Sequence, residues 1–270
     1  MLDFTIAAYC LADDFLKLQQ HHHHPRAALC DAEIMTLGLV AARFFGGCFQ
    51  HALHYLYDAR LIPQRIDKSR LNRRLHALQT TFAAFFAHIR AQPEAEGDAV
   101  FALDTMPLIA VQNARIPRAR IYTSVAYHGY NATKKTFFRG LKLHLVVNTR
   151  GRPVEAALVP AAVADVRGYE LLPLGLVPGS IVTADKAYNA KTQEVALLER
   201  GITVLPLRKK NMTTCPEAHL RAWVSKRRKV VETAFSRLSS LLPKSIRAVT
   251  GRGFELKATL FVLVLTLISQ

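Results

Sequence analysis

The period of the apolar positions changes partway along the chain, and its two parts predict different elements. Up to about residue 95 the pattern is helical. Asp31-Ala32-Glu33-Ile34-Met35 opens a helix with acids in its first turn, where they complement the helix dipole, and Gly46-Gly47 closes it. Across residues 69–90, Leu71, Leu75, Leu78, Phe82, Phe85, Phe86 and Ile89 recur at helical spacing and predict one helix. Residues 92–98 are polar, contain Pro93 and Gly97, and interrupt the pattern.

After that break, short apolar runs predict strands at 99–103, 141–147, 154–159, 180–184 and 202–207. The turn Thr149-Arg150-Gly151-Arg152-Pro153 joins the second to the third, and helices are expected at 168–176, 191–200 and about 216–242. The reading is an α/β domain with a mixed five-stranded sheet over residues 96–270, preceded by an all-helical domain over 1–95. The apolar run at 260–268 is too short to span a bilayer and is expected to be a core helix.

Two of the predicted strands end in acids. Asp104 follows Ala99-Val100-Phe101-Ala102-Leu103, and Asp185 follows Ser180-Ile181-Val182-Thr183-Ala184. A third acid, Glu232, lies in a helical stretch with Lys226, Arg227, Arg228 and Lys229. Carboxylates at the tips of buried strands are costly to desolvate unless a cation meets them. Two divalent metals held by three such acids are the chemistry of phosphodiester cleavage and transfer.

Charge sharpens this picture when it is divided by region. The chain carries 36 Lys and Arg against 20 Asp and Glu, yet residues 1–100 hold ten of each. The whole excess, 26 basic against 10 acidic side chains, therefore falls in residues 101–270. An excess so one-sided is expected to seek a polyanion, and with the acidic trio it points to nucleic acid.

Other features exclude more than they suggest. Cys10, Cys30, Cys48 and Cys215 show no metal-binding spacing and read as reduced, mostly buried thiols. Met1-Leu2-Asp3-Phe4 has no signal-peptide form, so a chain free of the membrane is expected. His21–His24 reads as an exposed loop or helix end with no catalytic role.

Six segments together carry a family resemblance. They are Leu103-Asp104-Thr105-Met106-Pro107, the stretch from Lys134-Lys135 to Lys142-Leu143-His144, Ala164-Asp165, Ala184-Asp185-Lys186-Ala187-Tyr188, Arg228-Lys229-Val230-Val231-Glu232-Thr233-Ala234-Phe235-Ser236, and Val249-Thr250-Gly251-Arg252-Gly253-Phe254. In this order the chain resembles a DDE transposase of bacterial insertion sequences, most similar to the nine-eighty-two group. Ala187 stands where relatives usually have glycine, and Ser225 and Ser239 replace a Tyr and a Lys found in related groups.

The resemblance implies a ribonuclease-H-like fold and cutting and joining of double-stranded DNA, both terminal inverted repeats and target. It further implies two Mg²⁺ ions, with Mn²⁺ as substitute, a homodimer that brings two ends together, and a place in the bacterial cytoplasm with the nucleoid. Asp104 would bridge the metals, with Asp185 and Glu232 each completing one site. DNA contacts are expected from Arg70, Arg73 and Arg74 on a docking helix of helix-turn-helix type, from Lys134, Lys135, Arg139 and Lys142, and from Lys226, Arg227, Arg228 and Lys229. Arg228, one turn before Glu232, would clamp a phosphate, while His144 reads as structural and Asp165 as a cap on the helix after it. Two rivals stand: a nuclease of this fold that does not join strands, and a DNA-binding protein without catalysis. A phosphatase of haloacid-dehalogenase type is excluded because position 106 is Met, not Asp.

Overall fold

In the computed structural model, which describes residues 1–90, 98–131, 135–208 and 218–269, the N-terminal helical pattern becomes five helices. These are α1 (Leu2–Leu18), α2 (Asp31–Phe44), α3 (Phe49–Asp58), α4 (Lys68–Ala77) and α5 (Gln79–Ile89). A reciprocal cap starts α2: the Glu33 N–H donates to Cys30 Sγ at 3.4 Å, and the Cys30 N–H donates to the Glu33 carboxylate at 2.6 Å. Gly46 and Gly47 follow its end at φ of +55° and +78°, a region in which a Cβ is strained.

Residues 69–90 form two helices, not the one their spacing predicts. Leu78, at φ −86° and ψ 9°, separates α4 from α5 yet stays buried with Leu71, Leu75, Phe82, Phe85 and Ile89. The apolar stripe runs unbroken across the joint, so its period carries no sign of the break. Among the cysteines, Cys10 is exposed and Cys30 and Cys48 are half-buried; all three are free thiols, less buried than expected, and Cys215 lies outside the described residues.

The chain divides into two compact units, residues 1–89 with 238–267, and residues 90–237 with 268–270. The C-terminal helix α9 (Gly251–Ile268) therefore packs with α1–α5, so the helical unit is not confined to residues 1–95. Gly38 of α2 permits this approach: a Cβ there would lie 3.1 Å from Leu260 and 3.3 Å from Leu75. Phe254, Leu260, Phe261, Leu263 and Val264 of α9 are buried. No single helix among the described residues is long and apolar enough to cross a membrane; α2 and α3 reach that length only as a pair bent by 111°.

The second unit is built on six strands: β1 (Val100–Gln112), β2 (His128–Asn131), β3 (Thr136–Val147), β4 (Pro153–Pro160), β5 (Ile181–Ala184) and β6 (Thr203–Pro206). Between and after them lie α6 (Asp165–Tyr169), α7 (Lys191–Glu199) and α8 (Ala218–Leu241). The sheet order is β2-β3-β1-β5-β6, with β4 also on β3. Antiparallel β1 occupies one edge of β3, while β2 pairs with its first residues and β4 with the rest. Strands β5 and β6 run parallel to β1 and to each other, which makes the sheet mixed. The sixth strand, β2, is only four residues long and mostly polar, so no apolar run announced it.

Two further expectations are corrected here. Strand β1 continues to Gln112, so Asp104 lies within it and not at its tip. Helix α6 ends at Tyr169, and residues 170–176 follow as irregular chain where a longer helix was expected. Pro173 has no N–H to continue a helix ladder, yet Leu172, Leu174 and Leu176 still enter the core with Phe101, Leu103, Val146, Val182 and Tyr188. Glu155, buried in β4, fastens this segment by accepting the N–H groups of Leu174 at 2.8 Å and Gly175 at 2.6 Å, with Arg90 3.5 Å away.

The β1–β3 contact tolerates no side chain at Gly140. A Cβ built there would lie 2.2 Å from the Leu108 carbonyl oxygen, beside the register shift at Ile109/Val111. Backbone cannot yield as a flexible side chain does, so Gly140→Ala is expected to destabilise the protein by about 1–3 kcal/mol. At Gly175 the nearest atom to a Cβ is 3.6 Å away, and Gly175→Ala should change stability by less than about 0.5 kcal/mol. Urea unfolding followed by far-UV circular dichroism checks both; equal midpoints would contradict this account of the sheet.

Candidate active site

Strand register brings Asp104 and Asp185 together. The parallel pairing of β1 with β5 ends at Leu103↔Ala184, so the next residue on each strand is an aspartate. Leu103 and Ala184 point into the core cluster, and alternation sends the two aspartates to the opposite face. On that face α8 supplies Arg228, which falls on the same stripe as the buried Val224 and Val231.

Arg228 pairs with both acids. Its Nη2 donates to Asp104 Oδ2 at 2.8 Å, and its Nη1 lies 3.5 Å from Asp185 Oδ1. The other oxygen of Asp104 accepts the Thr105 N–H at 2.8 Å. Burial raises the Asp104 pKa above the usual carboxylate value, and the nearby Asp185 charge adds to this; the Thr105 amide and the Arg228 guanidinium work against it. The sequence reading placed Arg228 on DNA or beside Glu232; its partners prove to be acids, one of them 124 residues away in the chain.

Glu232 lies one turn beyond Arg228 on α8 and is exposed. Among the described residues, no three His, Cys, Asp or Glu side chains gather closely enough to hold a metal ion. The Asp104–Asp185 pair does suit a hard cation: both offer carboxylate oxygens on one face of the sheet, and a positively charged group already sits between them. Glu232 is not part of that cluster in this conformation.

The expected DNA contacts separate into exposed and internally used groups. Arg70 and Arg73 are exposed on α4, whereas Arg74 turns inward to the Leu29 carbonyl and to Asp31, 2.5 Å away. Asp31 also accepts from His21 at 2.8 Å, which gives the first histidine of that run a structural partner, while His22, His23 and His24 are exposed. Lys135 is exposed; Lys134 lies outside the described residues. Arg139 donates to the Thr123 carbonyl at 2.7 Å. Lys142 donates to Asp165 at 2.8 Å and to the Val163 carbonyl at 2.9 Å, so both its expected role and that of Asp165 change. Asp165 is the first residue of α6, whose N-cap is Ala164, and it holds Lys142 instead of capping. On α8, Lys226, Arg227 and Lys229 are exposed, with Arg227 lying 5.5 Å over the Trp223 ring.

Behind the aspartates, Tyr188 and His144 are wholly buried and hydrogen-bonded at 3.2 Å between the phenol oxygen and Nδ1. Gly168 leaves room for the imidazole, since a Cβ there would lie 2.1 Å from Nε2. Burial holds the His144 pKa down to about 4, against about 6.5 for a free histidine. Its contribution to stability is therefore complete above about pH 6.5 and is lost as pH falls toward about 4, when the unfolded chain takes up a proton that the folded one refuses. The loss should approach about 3 kcal/mol, and His144→Gln should flatten that part of the stability–pH curve. Urea midpoints measured between these pH values provide the check, and parallel curves for the two proteins would refute the assignment.

Comparison with known proteins agrees with this geometry. A family model described as a transposase DDE domain matches residues 94–244, more than half of the chain, with Asp104, Asp185 and Glu232 all inside the match. A search of curated proteins found no match. Among solved structures, the fold is similar to that of a piggyBac transposase seen by cryo-electron microscopy in a synaptic complex with hairpin DNA. The TM-score is 0.52 at 10% identity, covering 99% of this chain and 73% of that one. The six-stranded mixed sheet with its helices is thus a ribonuclease-H-like fold, and by its matching domain the chain belongs to the DDE transposase family.

Proposed function

We propose that this protein is a DNA transposase that cleaves and joins strands at the ends of an insertion sequence, with Asp104, Asp185 and Glu232 as its acidic residues. The observation that supports it most directly is the convergence of Asp104 and Asp185 on one cationic group at adjacent ends of parallel pairing. Members of this family typically use divalent metals. Asp104 and Asp185 would hold such an ion, Mg²⁺ or Mn²⁺, and Glu232, one turn from Arg228, is the proposed third carboxylate. Once bound, the metal supplies Lewis acidity to the phosphate and lowers the pKa of the attacking water or 3′-hydroxyl.

The chain's own residues prepare for that chemistry. Arg228 neutralises the aspartates, and the Thr105 amide fixes one oxygen of Asp104. The exposed Arg70 and Arg73 on α4 and Lys226, Arg227 and Lys229 on α8 present charge for DNA phosphates. Lys135 adds to them. Arg74 and Lys142 serve the fold. Double-stranded DNA, as terminal repeats and as target, is the proposed substrate, and a homodimer the proposed assembly. The proposal extends to membership of the nine-eighty-two group of bacterial insertion sequences and to work in the bacterial cytoplasm.

Asp104→Asn, Asp185→Asn and Glu232→Gln should each lower Mg²⁺-dependent cleavage of an end-bearing duplex by several orders of magnitude while leaving DNA binding intact. Retained cleavage in any one of them would remove that residue from the centre. Transfer of a pre-cut end into a target plasmid, scored on a gel, distinguishes a transposase from a nuclease of the same fold; cutting without joining would favour the nuclease. Arg70→Ala with Arg73→Ala should weaken duplex binding and reduce the salt slope by about one for each phosphate that the variant no longer neutralises. An unchanged slope would confine α4 to a scaffold role.

A further inference from the structure

One surface of the second unit exposes a cluster of aromatic rings. The short β2 and the start of β3 pair in register His128↔Arg139, Gly129↔Phe138 and Tyr130↔Phe137. Directly opposed residues share a face of the sheet, so His128, Tyr130, Phe137 and Arg139 lie on one side and Gly129 and Phe138 on the other. The inner side is filled: Gly129 and Phe138 are buried, and a Cβ on Gly129 would lie 2.7 Å from the Phe138 ring. The outer side is open. Tyr130 is 52% and Phe137 49% exposed, and His128 is exposed beside them.

Phe137 touches both of the other rings. The Tyr130 and Phe137 centroids are 5.0 Å apart, and those of His128 and Phe137 are 5.2 Å apart. Exposing large aromatic surface costs free energy unless a ligand covers it. Charge narrows the choice of ligand: residues 105–154 contain nine Lys and Arg and no Asp or Glu. Lys135, Arg115, Arg118 and Arg120 in that stretch are exposed. Aromatic faces within a wholly cationic segment match a polyanion with stackable rings, not an apolar protein surface.

We propose that His128, Tyr130 and Phe137 form a stacking platform for unpaired bases of single-stranded DNA. The platform rests on the reading of the chain as a DNA-processing protein, but it does not require catalysis. Its position is separate from the acidic site. Asp104 and Val111, the β1 partner of Arg139, are seven residues apart on one strand, roughly 24 Å at about 3.4 Å per residue. The platform therefore receives bases away from the acidic site.

The test uses the full-length protein in EDTA, with fluorescence anisotropy of a labelled 20-nucleotide strand of mixed sequence and of its blunt duplex. Tyr130→Ala with Phe137→Ala should weaken single-strand binding by about 10- to 100-fold and change duplex binding by less than about 3-fold. Phe137→Trp should preserve single-strand affinity and add an indole emission that the oligonucleotide quenches, against a background from Trp223, the only native tryptophan. Equal losses on both DNAs, or no loss on either, would overturn the platform. So would intact single-strand binding with a fall in mass by light scattering, which would make the patch a self-association surface. Duplex binding that persists while single strands are ignored defeats this proposal alone, whereas failure of the acidic substitutions to affect cleavage defeats only the catalytic reading.

Discussion

Two carboxylates placed side by side at neighbouring strand positions repel each other and lose hydration as the sheet is covered, and the Arg228 guanidinium is what permits Asp104 and Asp185 to coexist there. The pair is set by backbone register, and the cation by a helix far along the chain. The geometry also explains why α8 must present a basic side chain on its inner stripe, where an apolar one would otherwise be favoured. The two carboxylates thus meet on a cation that the protein itself supplies.

The rest of the second unit keeps that register fixed. Strand β3 pairs along both edges, Gly140 lets β1 approach it, and buried Glu155 holds residues 174–175 against β4. Beneath the aspartates, His144 and Tyr188 close the core with a hydrogen bond between buried rings. Each contact restrains the stretch of sheet where the β1–β5 pairing ends, so the placing of the two aspartates derives from the sheet and not from the loops around it.

Much of this was legible in one dimension. Apolar runs located five of the strands because buried strands need them, and the order of motifs singled out three acids, of which the fold brings Asp104 and Asp185 together. The α4–α5 joint was hidden because Leu78 keeps the apolar period through the bend. Strand β2 was hidden because its stability comes from pairing with β3 and not from its own composition. Charged side chains were the hardest to place. Arg74 and Lys142 look like solvent-facing bases in the sequence, yet each is drawn inward by an acid that only the fold brings near. Arg228 stands 124 residues from Asp104, a separation that no local pattern spans.

The parallel contact between β1 and β5 has a consequence for the order in which the molecule assembles. Antiparallel β3 and β4 are joined by a tight turn at Gly151 and can meet early, because little chain entropy is lost in closing so small a loop. Leu103 and Ala184 are separated by a much longer stretch, and their pairing must await the chain between them. The two aspartates are therefore brought together later than the hairpin, once the chain between them has been closed into a loop. A nascent chain would hold the β3–β4 hairpin before Asp104 and Asp185 met.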